Sequence, residues 1–530
     1  MKERFMPIVT VRRDGVVVTE MEVDSGANLL TVLREAGLQI LAPCGGGGTC
    51  GKCLVEVRKV GRVRSCGYTV HEDIEIDVTA TARAAILDSA IQSLKPVMCD
   101  PGVTAVEGGT SFSCLGHTFT VSGNGAHGKS KIPYFGLAVD IGTTTVVAYL
   151  ERLQNCALMD VVSFANPQAR YGHDVVSRIY HTIENPSGLE TLRGVLLDSL
   201  NQALRTVCAR NNIAQEDICK TIIVGNPTML HIALGVDPSP IAYAPYTPVF
   251  TDERTMSAGE AGLEVNPLAP VCALPSISGY IGADITAGVA STNIAECSDF
   301  SLFVDLGTNG EIVLGNRERM YCCAAAAGPA FEGANISCGI GGVAGAISTY
   351  RDGTFETIGH LPPVGVCGSG LFDIIASLLA KGVIAGTGFM EEPFVVASKE
   401  VSATGQAIAL TPVDVRQVQL AVAAVYAGIC TIMDDAGLKW DDIARVYLAG
   451  GFGNYVSIDS AVAVGLLPAA LQDRIHPIGN SAGSGARLAL RSVTFAKEIA
   501  KMTHRMRYVE LSMRSDFNER YVNSMTLERR

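Results

Sequence analysis

The chain has 530 residues, 18% of them charged, and a formal net charge of −12. That length exceeds one ordinary core and points to about three or four domains. The negative charge argues against a nucleic-acid partner, which would need a basic surface. No apolar run approaches the roughly 18–20 residues of a membrane helix, and MKERFMPIVTVRRDG has charges with no signal-peptide core behind them. The expected location is therefore cytoplasmic, with no membrane partner. In that compartment the 16 cysteines are not expected to form a disulfide framework. Cys156, Cys208 and Cys430 are read as buried thiols.

In chain order, IVTVRRDGVVVTEMEV predicts a hairpin about Asp14-Gly15. DSGANLLTVLREAGL predicts a helix capped by Asp24 or Ser25, with Leu29, Leu30 and Leu33 on one face and Gly37 at its exit. The loop PCGGGGTCGKC follows, then the strand LVEVRKVG, then Cys66 ahead of a last strand, IEIDV. Hairpin, helix, cysteine loop, strand, cysteine, strand is the order of a small β-grasp ferredoxin. The cysteine spacing is Cys44-x5-Cys50-x2-Cys53-x12-Cys66. Four thiolates suit zinc or a [2Fe-2S] cluster. Structural zinc usually takes two short knuckles, and one is present. The glycines of the loop suit backbone amides approaching sulfur, which favours iron and leaves zinc as the alternative. These residues resemble plant-type and adrenodoxin-like [2Fe-2S] ferredoxins, with a shorter gap before the fourth cysteine. That resemblance implies Cys44, Cys50, Cys53 and Cys66 as ligands, with Cys99 in KPVMCDPG as competitor for the fourth position.

The connector, residues 81–134, opens with a helical pattern in TARAAILDSAIQSL. Beyond Asp100 it turns Gly/Ser-rich and reads as a linker or small irregular subdomain. Its GNGAHGKS matches the P-loop pattern, yet Pro133 and a strand follow where a P-loop needs a helix. A flexible linker is the expectation, so replacing Lys129 with Ala should leave ATPase activity almost intact.

The large module repeats one design. FGLAVDIGTTTVVAYL is a strand, a D-x-G-T-T-T turn and a second strand; FVDLGTNGEIVLG repeats it, with Asp305 lying 165 positions after Asp140. Hydroxyls and amides in such turns can hold phosphate, and the Asp can hold Mg²⁺ through water. Gly142, Thr143, Thr144 and Thr145 form the first candidate phosphate turn; Gly307, Thr308, Asn309 and Gly310 form the second. VYLAGGFGNYVSIDSAVAVGLLP adds a strand, a glycine turn (Gly450, Gly451, Phe452, Gly453) and a helix, a place for adenosine. These three motifs resemble those of the acetate and sugar kinase/Hsp70/actin (ASKHA) superfamily. GADITAGVA and SAGSGARLAL resemble its two connecting helices.

The resemblance narrows further. NPQARYGHDVVSRI, VGNPTMLHIALGVDP, AAGPAFEGANI, GVCGSGLFDIIASLL and DVRQVQLAVAAVYAGI are similar to segments of the reductive activators of corrinoid enzymes (RACE family). The implied fold is α+β and α/β multidomain: a β-grasp ferredoxin domain at 1–80, a linker or subdomain at 81–134, ASKHA lobes at 135–297 and 298–512, and a C-terminal tail at 513–530. The implied cofactors are a [2Fe-2S] cluster, ATP and Mg²⁺, with Asp140 and Asp305 organising the metal and the attacking water. The implied activity is ATP-dependent reduction of a Co(II) corrinoid protein of a methyltransferase system to Co(I), fed by an upstream low-potential electron donor; a homodimer is the most that is expected of assembly. Alternatives are an activator of another low-potential metalloenzyme and a small-molecule kinase with an appended ferredoxin.

Other residues carry plainer readings. Cys322, Cys323, Cys338 and Cys367 could form a second cluster but are favoured as buried thiols, since they lack ferredoxin spacing. Asp174 and Arg178 are spaced for an i,i+4 ion pair. His173 and His231 are read as structural more readily than as proton-transfer groups.

Overall fold

A computed structural model describes residues 6–13, 16–36, 40, 53–77, 95–106, 109–122, 134–453 and 455–530. The Asp14-Gly15 turn, Gly37, Cys44, Cys50, the expected connector helix and GNGAHGKS lie outside the described residues.

The N-terminal strands Ile8–Arg13 and Val16–Glu22 pair antiparallel, as the alternation requires. They belong to a five-stranded sheet completed by Ile74–Asp77, Leu54–Val57 and Gly61–Arg64, with Ile8–Arg13 parallel to Ile74–Asp77. Helix Leu29–Glu35 lies over it, burying Leu29, Leu30 and Leu33 against Val9, Val11, Val57 and Ile76. The cap of this helix differs from expectation. Asn28 Oδ1 accepts from the amides of Leu30 and Thr31 at 3.1 and 3.3 Å. Asp24 and Ser25 fall instead in a turn closed by the Ala27 amide on the Asp24 carbonyl. Arg62 of this domain donates to the Thr404 carbonyl of the large module.

The connector is more regular than its composition suggests. Val103–Val106, Gly109–Cys114 and His117–Ser122 form a three-stranded antiparallel sheet. Two disulfides tie the segment down, Cys99–Cys156 and Cys114–Cys272. The expectation of a free Cys156 thiol is thereby corrected: the β-turn before Ala157 brings it beside the connector, with 6.3 Å between the Cα atoms. Lys220, 1% exposed, donates to the carbonyls of Pro101 and Leu490, seating the connector on the first lobe.

Each lobe is built on a six-stranded sheet. In the first, Phe135–Ile141 lies between Thr145–Arg152 (antiparallel) and Ile218–Gly225 (parallel), flanked by Ala157–Ala165 on one side and Pro270–Ala273 and Arg254–Ser257 on the other. In the second, Phe300–Leu306 lies between Gly310–Gly315 (antiparallel) and Ile443–Ala449 (parallel), flanked by Met320–Ala325 and Ile475–Gly479, with Met506–Tyr508 at the edge. The order of the five principal strands is the same in both. In each, the direction of connection reverses at the strand bearing the key Asp. Ligands of open α/β sheets bind at such switch points, beyond the carboxyl ends of the strands.

Helices Ala283–Ala290 and Ser481–Arg491 join the lobes. They approach closely because of glycine: a Cβ on Gly485 would lie 2.1 Å from the Ala287 carbonyl oxygen. Helix Ser481–Arg491 packs on the first lobe although second-lobe strands precede and follow it in sequence. Its Arg487 and Arg491 enclose the buried Glu151 of the first lobe in an ion triad. Helix Pro412–Ala436 is long and apolar enough on average to cross a membrane, although Asp414, Arg416 and Gln419 interrupt its apolar run. It is the core helix of the second lobe, with 72% of its most apolar stretch buried. The last helix, Ser515–Asn523, packs on it, and Leu527 is buried in the same core.

Candidate functional site

The two repeated turns face one cleft. The first is closed by the Gly142 amide on the Thr145 carbonyl at 2.9 Å. A Cβ on Gly142 would lie 2.6 Å from that carbonyl, so the turn admits no side chain there. Three distant side chains hold it. Asn166 donates to the Gly142 carbonyl at 2.8 Å, and Asn226 donates to the Thr143 hydroxyl at 2.9 Å. Arg178, fully buried, donates to the carbonyls of Thr143 and Gly172 at 2.6 and 2.9 Å, and to Gln168 Oε1 at 3.2 Å. Burial lowers Arg178 to about 10, against the carboxylates of Asp174 and Glu332, and it stays charged at neutral pH. Asp174 makes no salt bridge with it. It caps helix Val175–Glu184 by accepting from the Ser177 amide at 2.7 Å, and it contacts His173. His231 is structural: its ring stacks on Phe250, with ring nitrogens on the Pro227 carbonyl and the Val249 amide.

Carboxyl groups line the cleft. Asp140 ends the central strand of the first lobe and Asp305 that of the second. Asp284 stands in the first turn of helix Ala283–Ala290, and Glu311 and Glu332 come from the second lobe. Burial raises Asp140 to about 6, opposed by Asn480, which donates to it at 2.8 Å. Burial and then the charge of Asp140 raise Asp284 to about 7. Burial, then Asp284, Asp140 and Glu332, raise Asp305 to about 8. Glu311 is pushed well up by burial and by Asp305 and Asp284. No cationic side chain among the described residues offsets the first three acids. Such a donor set suits a hard divalent cation, which stays hydrated and takes one or two carboxylates plus phosphate oxygens. Among the described residues, no three Asp, Glu, His or Cys converge to enclose an ion.

Glu332 also links the turns. Its Oε2 accepts from the Thr144 hydroxyl at 2.5 Å, and its Oε1 accepts from the Thr308 hydroxyl at 3.1 Å. The glycine turn of the third motif adjoins Asp305. Gly450 has φ +93°, and a Cβ on it would lie 2.7 Å from Asp305 Oδ1. Gly451 is open, with no atom within 4 Å of a built Cβ. Phe452 turns inward, stacking on Phe331 at 5.2 Å between ring centroids and packing on Phe372. Its ring belongs to the second-lobe core, and the glycines present the turn's open face.

Of the four expected cluster cysteines, Cys53 and Cys66 are described. Cys53 is buried and Cys66 half-buried. The Cys66 amide donates to Cys53 Sγ at 3.4 Å, and Ser65 pins the Cys53 carbonyl through its amide and hydroxyl. An amide aimed at sulfur fits an iron–sulfur ligand loop. The competitor Cys99 is removed by its bond to Cys156. The second-cluster idea meets simple strand geometry. Cys322 and Cys323 are neighbours on Met320–Ala325, point to opposite faces, and enter different cores.

Sequence reasoning assigned no role to Asp284, Glu311, Glu332, Asn166, Asn226 or Asn480. Most stand inside motifs recognised as wholes, and the signal available was an acidic or amide residue in an apolar glycine-rich frame.

Comparison with known proteins adds to this geometry. Three family models match: a 2Fe-2S iron-sulfur cluster binding domain over residues 12–80, the RACo middle region over 135–296, and the C-terminal ASKHA domain of RACo over 299–530. The chain is 31% identical to the corrinoid activation enzyme RamQ of Eubacterium limosum, over 95% of this chain and 96% of that relative. It is 25% identical to the Co(II) methylated amine-specific corrinoid protein reductase of Methanosarcina barkeri, over 67% of this chain and 69% of that one. The solved structure of a reductive activator for corrinoid, iron-sulfur protein superimposes with a TM-score of 0.73 at 30% identity, covering 98% of both chains. With a ferredoxin domain in front of a two-lobed ASKHA module along its whole length, this chain belongs to the family of reductive activators of corrinoid enzymes.

Proposed function

We propose that the protein returns an inactive Co(II) corrinoid protein to Co(I), using ATP bound between its lobes. The observation that carries this reading is the pair of equivalent strand ends, Asp140 and Asp305, facing one acid-lined cleft behind a ferredoxin domain. Cys44, Cys50, Cys53 and Cys66 would hold the [2Fe-2S] cluster, which supplies a one-electron carrier. The Cys66 amide on Cys53 Sγ stabilises negative charge on that sulfur.

In the cleft, the turns at Gly142–Thr145 and Gly307–Gly310 would take the phosphates through amides and the hydroxyls of Thr144 and Thr308. Thr143 keeps its hydroxyl engaged with Asn226 and serves the shape of the turn. Asp140 and Asp305 would orient Mg²⁺-bound water, with Asn480 keeping Asp140 in its acceptor state. The Gly450–Gly453 turn would face adenosine. Because each lobe offers half of the contacts, ATP favours the closed arrangement, and its hydrolysis releases that preference. An uphill electron transfer can be coupled only to such a difference between two states.

The same reading extends to a corrinoid protein of a methyltransferase system as partner, a low-potential donor upstream, a cytosolic location where ATP is at hand, and a homodimer as the assembly to look for. The deciding assay mixes reduced protein with a Co(II) corrinoid protein, with and without ATP, and follows the Co(I) absorption. ATP-dependent Co(I) is expected; its absence overturns the proposal.

A further inference from the structure

We propose that Glu332 is an interlobe latch, holding the two hydroxyls that phosphate would take, so that ATP binds by displacing it. The inference rests on the reading of the cleft as an ATP site. Its basis is a single carboxylate accepting from both turns: Thr144, on the first lobe, and Thr308, on the second. The Thr143 hydroxyl is already engaged by Asn226, whereas the described side-chain bonds of Thr144 and Thr308 run to Glu332 alone. The cleft already holds Asp140, Asp284 and Asp305, so a nucleotide phosphate and the Glu332 carboxylate cannot share the same donors without facing like charge.

The segment bearing Glu332 is built to hold it there and to let it leave. Gly328 and Gly333 flank it, both at φ +75°, a conformation that glycine adopts without strain. Between them, Phe331 is anchored in the stack with Phe452 and Phe372. The backbone is therefore fixed at Phe331, while the Glu332 side chain crosses the cleft through its own torsions. Phe452 belongs to the glycine turn proposed for adenosine, so the latch and that turn share one aromatic support. The nucleotide would take over the bridge that Glu332 makes.

Titration calorimetry of the full chain with Mg²⁺ and a non-hydrolysable ATP analogue tests this, together with hydrogen exchange of the amides at 142–145 and 307–310. Glu332→Ala is expected to bind the analogue roughly tenfold more tightly than wild type, and, without nucleotide, to exchange faster at both turns. Glu332→Gln keeps an acceptor for one hydroxyl and a donor for the other. It is expected to retain slow exchange while still binding more tightly, because the charge is gone, and it decides the matter where the Ala variant fails to fold. Equal or weaker binding in the variants overturns the latch alone. A wild-type chain that binds no nucleotide overturns the ATP reading and the latch with it.

Discussion

Replacing Asp305 with Asn separates the cleft's electrostatics from its architecture. Asp305 rises from 3.8 to about 8 through burial and then the charges of Asp284, Asp140 and Glu332. A carboxyl that holds its proton more tightly in the folded chain favours folding fully below pH ~4, and that contribution is lost as the pH rises through about 8. At about 1.4 kcal/mol for each tenfold change in proton affinity, the ceiling on the cost at pH 8 is roughly 6 kcal/mol. Burial is the larger part of that shift, and the like-charge part is shared with Asp140 and Asp284, whose own shifts report some of it, so about 2 kcal/mol is the expected relief. Without nucleotide, Asp305→Asn should therefore melt about 4–8 °C above wild type at pH 8 and within about 2 °C of it at pH 5. Scanning calorimetry at the two pH values reads this directly. In the corrinoid assay the same variant should keep its iron and lose ATP-dependent Co(I) formation. A variant that melts at or below wild type at pH 8, or whose gain is the same at both pH values, refutes the idea that burial and neighbouring acids together penalise the ionised Asp305.

Other outcomes follow from the same geometry. Cys66→Ser should lose the cluster's visible absorption, whereas Cys99→Ser should keep about two irons per chain; iron analysis near six would instead demand a second, four-iron cluster. Arg178→Lys cannot reach Thr143, Gly172 and Gln168 together, and it leaves buried acceptors unmet. It should cost about 2–4 kcal/mol in denaturant unfolding and weaken nucleotide binding in calorimetry. Wild-type behaviour in both measurements would show that the first turn does not depend on that guanidinium.

Much of this is legible in the sequence. The alternation around Asp14-Gly15, the apolar face of Leu29, Leu30 and Leu33, and the two D-x-G-T strand ends are local patterns. Neighbours along the chain are neighbours in space, so their periodicity survives folding. The connector's Ser, Thr and Gly suggest irregular chain; pairing and the first lobe's surface, rather than propensity, make these segments strands. The helix cap went to Asn28 because the turn before it uses Asp24.

The sequence by itself determined that four spaced cysteines and two matching D-x-G-T turns exist in one chain, since spacing and repetition are properties of the string. Only the tertiary structure decided how they are held. Glu332 meets Thr144 across 188 positions, and Asn480 meets Asp140 across 340. The pairing of Cys99 with Cys156 and the inward turn of Phe452 likewise come from packing between distant segments. Such contacts leave no periodic trace. A buried carboxyl acquires its character from the desolvation and like charges that folding assembles around it, and those belong to the cleft, not to any stretch of chain.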